Sequence, residues 1–152
     1  MKSSIAAAAA ALLALPVLAS PASAEIMRVQ STMAVPETMD ALENAVTGAG
    51  ATIFARVDHA GGAAGAGLEL SASQLLIFGN PKLGTPAMQA DPLAGLYLPL
   101  KVLVYEDADG AAWLAYDDPA AMFEGMNIPA DAEYIKKMTG ALAKLTGVAA
   151  GS

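Results

Sequence analysis

The chain has 152 residues, no cysteine, one histidine and a formal net charge of −7. Without cysteine there can be no disulfides, thiolate metal sites or cysteine nucleophiles. An acidic surface with no basic run to offset it excludes nucleic acid as a partner.

Met1-Lys2 gives a positive start, Ile5 to Leu18 is almost wholly apolar with Pro16 inside it, and Ala22-Ser23-Ala24 supplies small residues for cleavage. This pattern predicts a secretory signal peptide over 1–24 and a periplasmic or secreted protein. The rival reading is a retained anchor, but the apolar run falls short of the roughly 20 residues that cross a bilayer. Cleavage leaves 128 residues with a net charge of −8, the size of one domain over 25–150. No later segment is long and uncharged enough to span a membrane.

Residues 25–33 read as a short first strand. Pro36 suits the first turn of a helix, and Met39, Leu42, Val46 and Ala49 then recur at helical spacing until Gly48 and Gly50 stop it. Thr52 to Asp58 alternates, with Ile53, Ala55 and Val57 on one face and Phe54 and Arg56 on the other, as in a half-buried strand. After His59 the run Gly61 to Gly67 is so rich in glycine that it reads either as a mobile loop or as a close backbone approach. Gln74 to Phe78 is a short apolar strand, stopped by Gly79-Asn80-Pro81. Thr85-Pro86 and Asp91-Pro92 each read as a polar cap with proline at the first helical position. Leu98 to Glu106 and Ala112 to Tyr116 flank Asp109-Gly110, a two-residue hairpin signal. Ala120 to Met126 suggests a helical turn, and 129–146 a final helix with Ile135, Met138, Leu142 and Leu145 on one side, ended by Gly147 with a frayed tail beyond. The order of elements implies an α+β domain, a mainly antiparallel sheet with helices on one face.

Several motifs in series resemble one known family: V-D-H-A at 57–60, G-L-E-L at 67–70, L-L-I-F-G-N-P-K at 75–82, G-T-P-A-M-Q at 84–89, D-P-L-A-G-L at 91–96, L-P-L-K-V-L-V at 98–104 and A-Y-D-D-P at 115–119. Together they cover nearly the whole chain after Ala24, which is similar to the domain of unknown function 302 family. The resemblance implies an antiparallel sheet curved around itself, often pairing into a homodimer, and leaves the biochemical activity open. Gly61 to Gly67 departs from the polar or charged helical stretch such proteins often carry after the Asp-His pair.

The candidate site residues are His59, Asn80, Lys82, Met88 and Asp91. His59 ends a strand, and a neutral imidazole binds metals or moves protons near neutral pH. The segment from Asn80 to Asp91 joins two strands, the kind of place where rigid elements present functional groups. Bland roles compete: Asn80, Asp91 and Thr85 can be turn and cap residues, and Met88 can be core. The favoured reading is a pocket for a small molecule or metal formed by His59 and this segment. One version pairs His59 with Met88, and Met122 with Met126, around cuprous ion, which suits thioether and imidazole. The alternatives are a dimerisation or protein-interaction domain, and an enzyme with His59 as general base beside Asp91, Glu69 or Lys82. No G-x-S-x-G, H-E-x-x-H or P-loop supports the last, and the sequence leaves any cofactor unknown.

Overall fold

The computed structural model describes residues 25–151, so the signal-peptide reading of 1–24 lies outside the described residues. Five strands form one antiparallel sheet: β1 (Ile26–Gln30), β2 (Thr52–Asp58), β3 (Ser73–Gly79), β4 (Leu100–Glu106) and β5 (Ala112–Asp117). Their spatial order is β1-β5-β4-β3-β2. β2 to β5 thus form a meander, and helix α1 (Val35–Gly48) carries the chain from β1 at one edge to β2 at the other. The fold is α+β, as the order of elements implies.

Alternation on β4 and β5 buries Leu100, Val102, Val104, Ala112, Leu114 and Tyr116. Against them lie Met39, Leu42 and Val46 of α1, fully buried at the spacing the sequence displays. The last helix (Glu133–Ala149) completes the layer with Ile135, Met138, Leu142 and Leu145, and is in contact with α1. It runs through Gly147, and its end is docked rather than frayed: Ala149 and Ala150 are buried, and the Ala150 carbonyl accepts from both the backbone N–H and the hydroxyl of Thr32. On the opposite face of the sheet, Leu75, Ile77, Leu103, Tyr105 and Trp113 remain half-exposed.

Two departures from the expected pattern matter for the site. The register of β2 against β3 shifts between Ile53 and Ala55. Ile53 therefore pairs with Phe78 on the helix-covered face, while Ala55 pairs with Ile77 on the open one, so a single extra residue splits the expected alternation. Arg56 is thereby turned toward α1, where it meets Asp40 at 2.6 Å and Glu43 at 3.2 Å.

The glycine-rich run, in turn, is helical: α2 spans His59–Gly65. The Asp58 side chain accepts from the N–H of Gly61, capping the helix, and a Cβ at Gly61 would stand 2.7 Å from Asp58 Oδ2. Glycine at 61 lets that cap close down; Gly67, at φ +73°, lies just beyond the helix in the left-handed region that only glycine enters freely.

The β4–β5 connection is not a two-residue turn but the five residues Asp107 to Ala111, closed by the Asp107 carboxylate. That carboxylate accepts from the N–H groups of Ala111 and Asp109 and, at 2.7 Å, from Nε1 of Trp113, whose ring also carries the Arg28 guanidinium 4.5 Å from its centroid. The bonds from Ala111 and Trp113, with smaller help from Asp109 and Arg28, hold the Asp107 carboxyl below its ordinary value. A depressed folded-state pKa stabilises the fold fully above about pH 4, and the contribution is lost as pH falls through the lowered value. Trp113 is the one tryptophan, so its fluorescence should report this step in acid. An Asp107→Asn chain should lack the step, and its survival there would assign it to another carboxylate.

Candidate functional site

Beyond β3 the chain enters α3 (Pro81–Ala90) and a 3-10 helix (Pro92–Leu96) before returning as β4. Asn80 caps α3, its Oδ1 accepting from the N–H of Lys82 at 2.9 Å, and Pro81 occupies the first turn. Thr85 is therefore not the start of a separate turn: it lies inside α3, as does Pro86. Asp91 does cap the following helix, as its position before Pro92 suggests. Its Oδ1 accepts from Leu93 N–H, and its Oδ2 accepts from the N–H of Asn127 at 3.1 Å. Asp91 thus ties this connection to the segment that follows α4 (Pro119–Met122).

Between α3 and the ends of the strands lies an open cavity of about 240 Å³. Leu83, Gly84 and Met88 of α3 form one wall and Leu98 and Pro99, at the entry to β4, another. Met138 of the last helix, which we label α5, closes the floor, and Phe54 stands at the β2 edge. Asn80 and Thr85 add the polar side chains. Phe54 sits where the register shifts, and the residue is 57% exposed. A bulge re-aims a side chain, and here it sets a phenyl ring at the mouth of an apolar hollow.

Two glycines keep the hollow open. A Cβ at Gly84 would lie 3.5 Å from Leu98 Cδ1 and 4.0 Å from Met88 Cε, and one at Gly79 would lie 3.5 Å from Phe54 Cε2 and 3.6 Å from Pro99 Cβ. These are ordinary van der Waals separations, so a side chain at either position would project among the lining groups.

Of the five candidates, the fold brings Asn80 and Met88 to this cavity and leaves Lys82, Asp91 and His59 out of its lining. Lys82 is exposed, and Asp91 is occupied by capping. His59 opens α2 at the other end of β2: Thr52 pairs with Gly79, whereas Asp58 pairs with Gln74. Six strand steps at about 3.3 Å separate those ends by roughly 20 Å. A pocket shared by His59 and the Asn80–Asp91 segment, or a metal held by His59 and Met88, is therefore not assembled. Neither is a general base at His59 working with Lys82 or Asp91, because those residues belong to the β3–β4 connection at the far end of the sheet. Met122 is buried and Met126 packs against the core, and neither joins Met88 on the cavity lining. Among the described residues no group of three or more His, Cys, Asp or Glu side chains converges as a metal site.

Phe54, Gly84, Leu98 and Met138 were not marked by the sequence. A phenylalanine on the solvent side of an edge strand and a glycine within a helical turn were the two available signals.

If Asp91 acts as cap and tie, Asp91→Ala should cost about 1–2 kcal/mol in urea unfolding and leave the cavity's affinities unchanged. A fall in ligand affinity with no loss of stability would put Asp91 in the site instead.

The model of the family described as Domain of unknown function DUF302 matches residues 27–145. A crystal structure of an uncharacterized conserved protein DUF302 from Bacillus stearothermophilus superposes with a TM-score of 0.74 at 22% identity, covering 82% of this chain and 97% of that one. The protein named Fluoride-specific ion channel FluC 1 of Brucella suis is 38% identical over 138 residues, 90% of this chain and 54% of that protein. Its namesake from Brucella abortus is 38% identical with 51% of its length covered. The chain thus spans about half the length of these curated relatives.

Proposed function

The chain belongs to the DUF302 family, and from that premise and the cavity we propose that it is a binding domain for a small apolar molecule. The observation that carries this reading is the open hollow between Phe54, α3, Pro99 and Met138, kept clear by Gly84. Small-molecule sites are concave, mostly apolar and supplied with a few polar groups that orient the ligand. Asn80 and Thr85 are those groups here. At about 240 Å³ the cavity exceeds the roughly 150 Å³ of an engineered hollow that binds benzene. Calorimetric titration with uncharged molecules of six to eight carbons should give saturable binding that Gly84→Leu removes. Absence of saturation by every compound would refute the reading.

The relatives' name brings an ion channel into view. Among the described residues no helix is long and apolar enough to cross a membrane, and no lysine, arginine or histidine lines the cavity to hold a halide. The proposed binding role takes nothing from that name.

The signal-peptide pattern supports export, with cleavage after Ala24 as its mark. The intact mass of protein recovered from the periplasm should begin at Glu25; a cytoplasmic chain that keeps Met1 would oppose it.

A second reading, a homodimer, draws support from the open sheet face, where Leu75, Ile77 and Leu103 are half-exposed and Val57 is exposed. A second copy laid on that face would bury them. Sedimentation should then give twice the chain mass, reduced to the chain mass by Leu103→Lys.

A further inference from the structure

Resting on the binding role proposed above, we infer that the ligand is an uncharged single-ring aromatic molecule bearing one hydrogen-bonding substituent, and that Phe54 selects the ring. Four features of the hollow carry this. Its volume of about 240 Å³ admits one substituted ring, being about half as large again as the roughly 150 Å³ that holds benzene. Its walls are suited to a π-system: Met88 and Met138 lie on the lining with Phe54 and Pro99. Sulfur makes favourable contacts with aromatic edges, and a phenyl ring stacks or meets another ring edge-on.

Phe54 supplies the third feature. The register shift that places it also leaves it more than half exposed at the edge of the sheet, beside the hollow rather than in the core. A second ring seated against it would cover that apolar surface.

The last feature is charge. Asn80 spends its Oδ1 on the α3 cap, which leaves its amide N–H donors, and Thr85 offers a hydroxyl. Two neutral groups can orient a hydroxyl or amide. They do not repay the desolvation of a carboxylate in an apolar hollow with no cation on its lining, in a chain of net charge −7.

The test titrates the purified protein with phenol, cyclohexanol and benzoate at pH 7, with Phe54→Leu and Gly84→Leu alongside. Phenol should bind about tenfold more tightly than cyclohexanol, its non-aromatic match in size and hydroxyl, through ring and sulfur contacts. Benzoate should bind at least about tenfold more weakly than phenol. Phe54→Leu should bring phenol down to the level of cyclohexanol while leaving cyclohexanol little changed, and Gly84→Leu should remove both. If cyclohexanol matches phenol, or Phe54→Leu weakens both equally, the aromatic assignment is overturned and the cavity keeps its role as an apolar site. If benzoate binds as well as phenol, the uncharged assignment is overturned. If no compound binds saturably, or Gly84→Leu alters none of them, the cavity reading falls as well.

Discussion

Gly84→Leu is expected to abolish ligand binding, and Gly84→Ala to weaken it, while the alanine chain melts at a higher temperature than the natural one. Gly84 lies in the interior of α3, where glycine costs about 1 kcal/mol relative to alanine. The added Cβ meets Leu98 and Met88 at ordinary van der Waals distance, so no strain offsets the gain. A domain of this size should gain about 2–5 °C in melting temperature. The same methyl group projects among the lining groups and takes up room that a ligand would occupy. The leucine chain fills the hollow further and should lose at least about tenfold in affinity for any compound the cavity takes, or about 1.4 kcal/mol. Binding and stability then move in opposite directions, which a purely structural glycine would not produce. A Gly84→Ala chain that melts lower and binds normally would show that glycine is retained there for packing.

Met138→Ala is expected to cost about 2–5 kcal/mol, because a fully buried side chain is truncated and only part of the space can close. Met138 is 1% exposed and belongs both to the core stripe of α5 and to the floor of the cavity. Against a total of about 5–15 kcal/mol for a typical domain, this loss should lower the urea midpoint by about 1–2 M. The floor should drop at the same time, so that a two-ring molecule excluded from the natural cavity becomes a ligand. An alanine chain with unchanged stability would mean that Met138 is not packed as the fold requires.

Much of the architecture was legible because its periods are simple. Met39, Leu42 and Val46 mark α1, and the alternation of Leu100, Val102 and Val104 with Lys101, Leu103 and Tyr105 marks β4, and burial follows both patterns. The same rule failed on β2 because one extra residue reverses the facing of everything after it, and an extra residue has no period of its own. The run after His59 misled through composition: its glycines suggested a loop, while Asp58 at the cap and the alanines between them allow a helix. The candidate site was half legible. Asn80 and Met88 lie on the segment that stood out for its dense punctuation, and they do line the cavity. His59 looked like their partner only because nearness along the sheet was unknown; antiparallel pairing puts it at the opposite end. Met138 comes from a helix distant in sequence, and no local pattern distinguishes it from Ile135 or Leu142.

The central claim, a cavity that takes a small aromatic molecule, is tested most directly by the methyl carbons of its own methionines. With the seven methionines that follow Ala24 labelled at the methyl position, titration with phenol should shift the Met88 and Met138 signals upfield, saturably and together. Met39, buried in the core away from the hollow, should stay in place. Saturable shifts confined to methionines outside the cavity, or no saturable shift at any methyl, would contradict it.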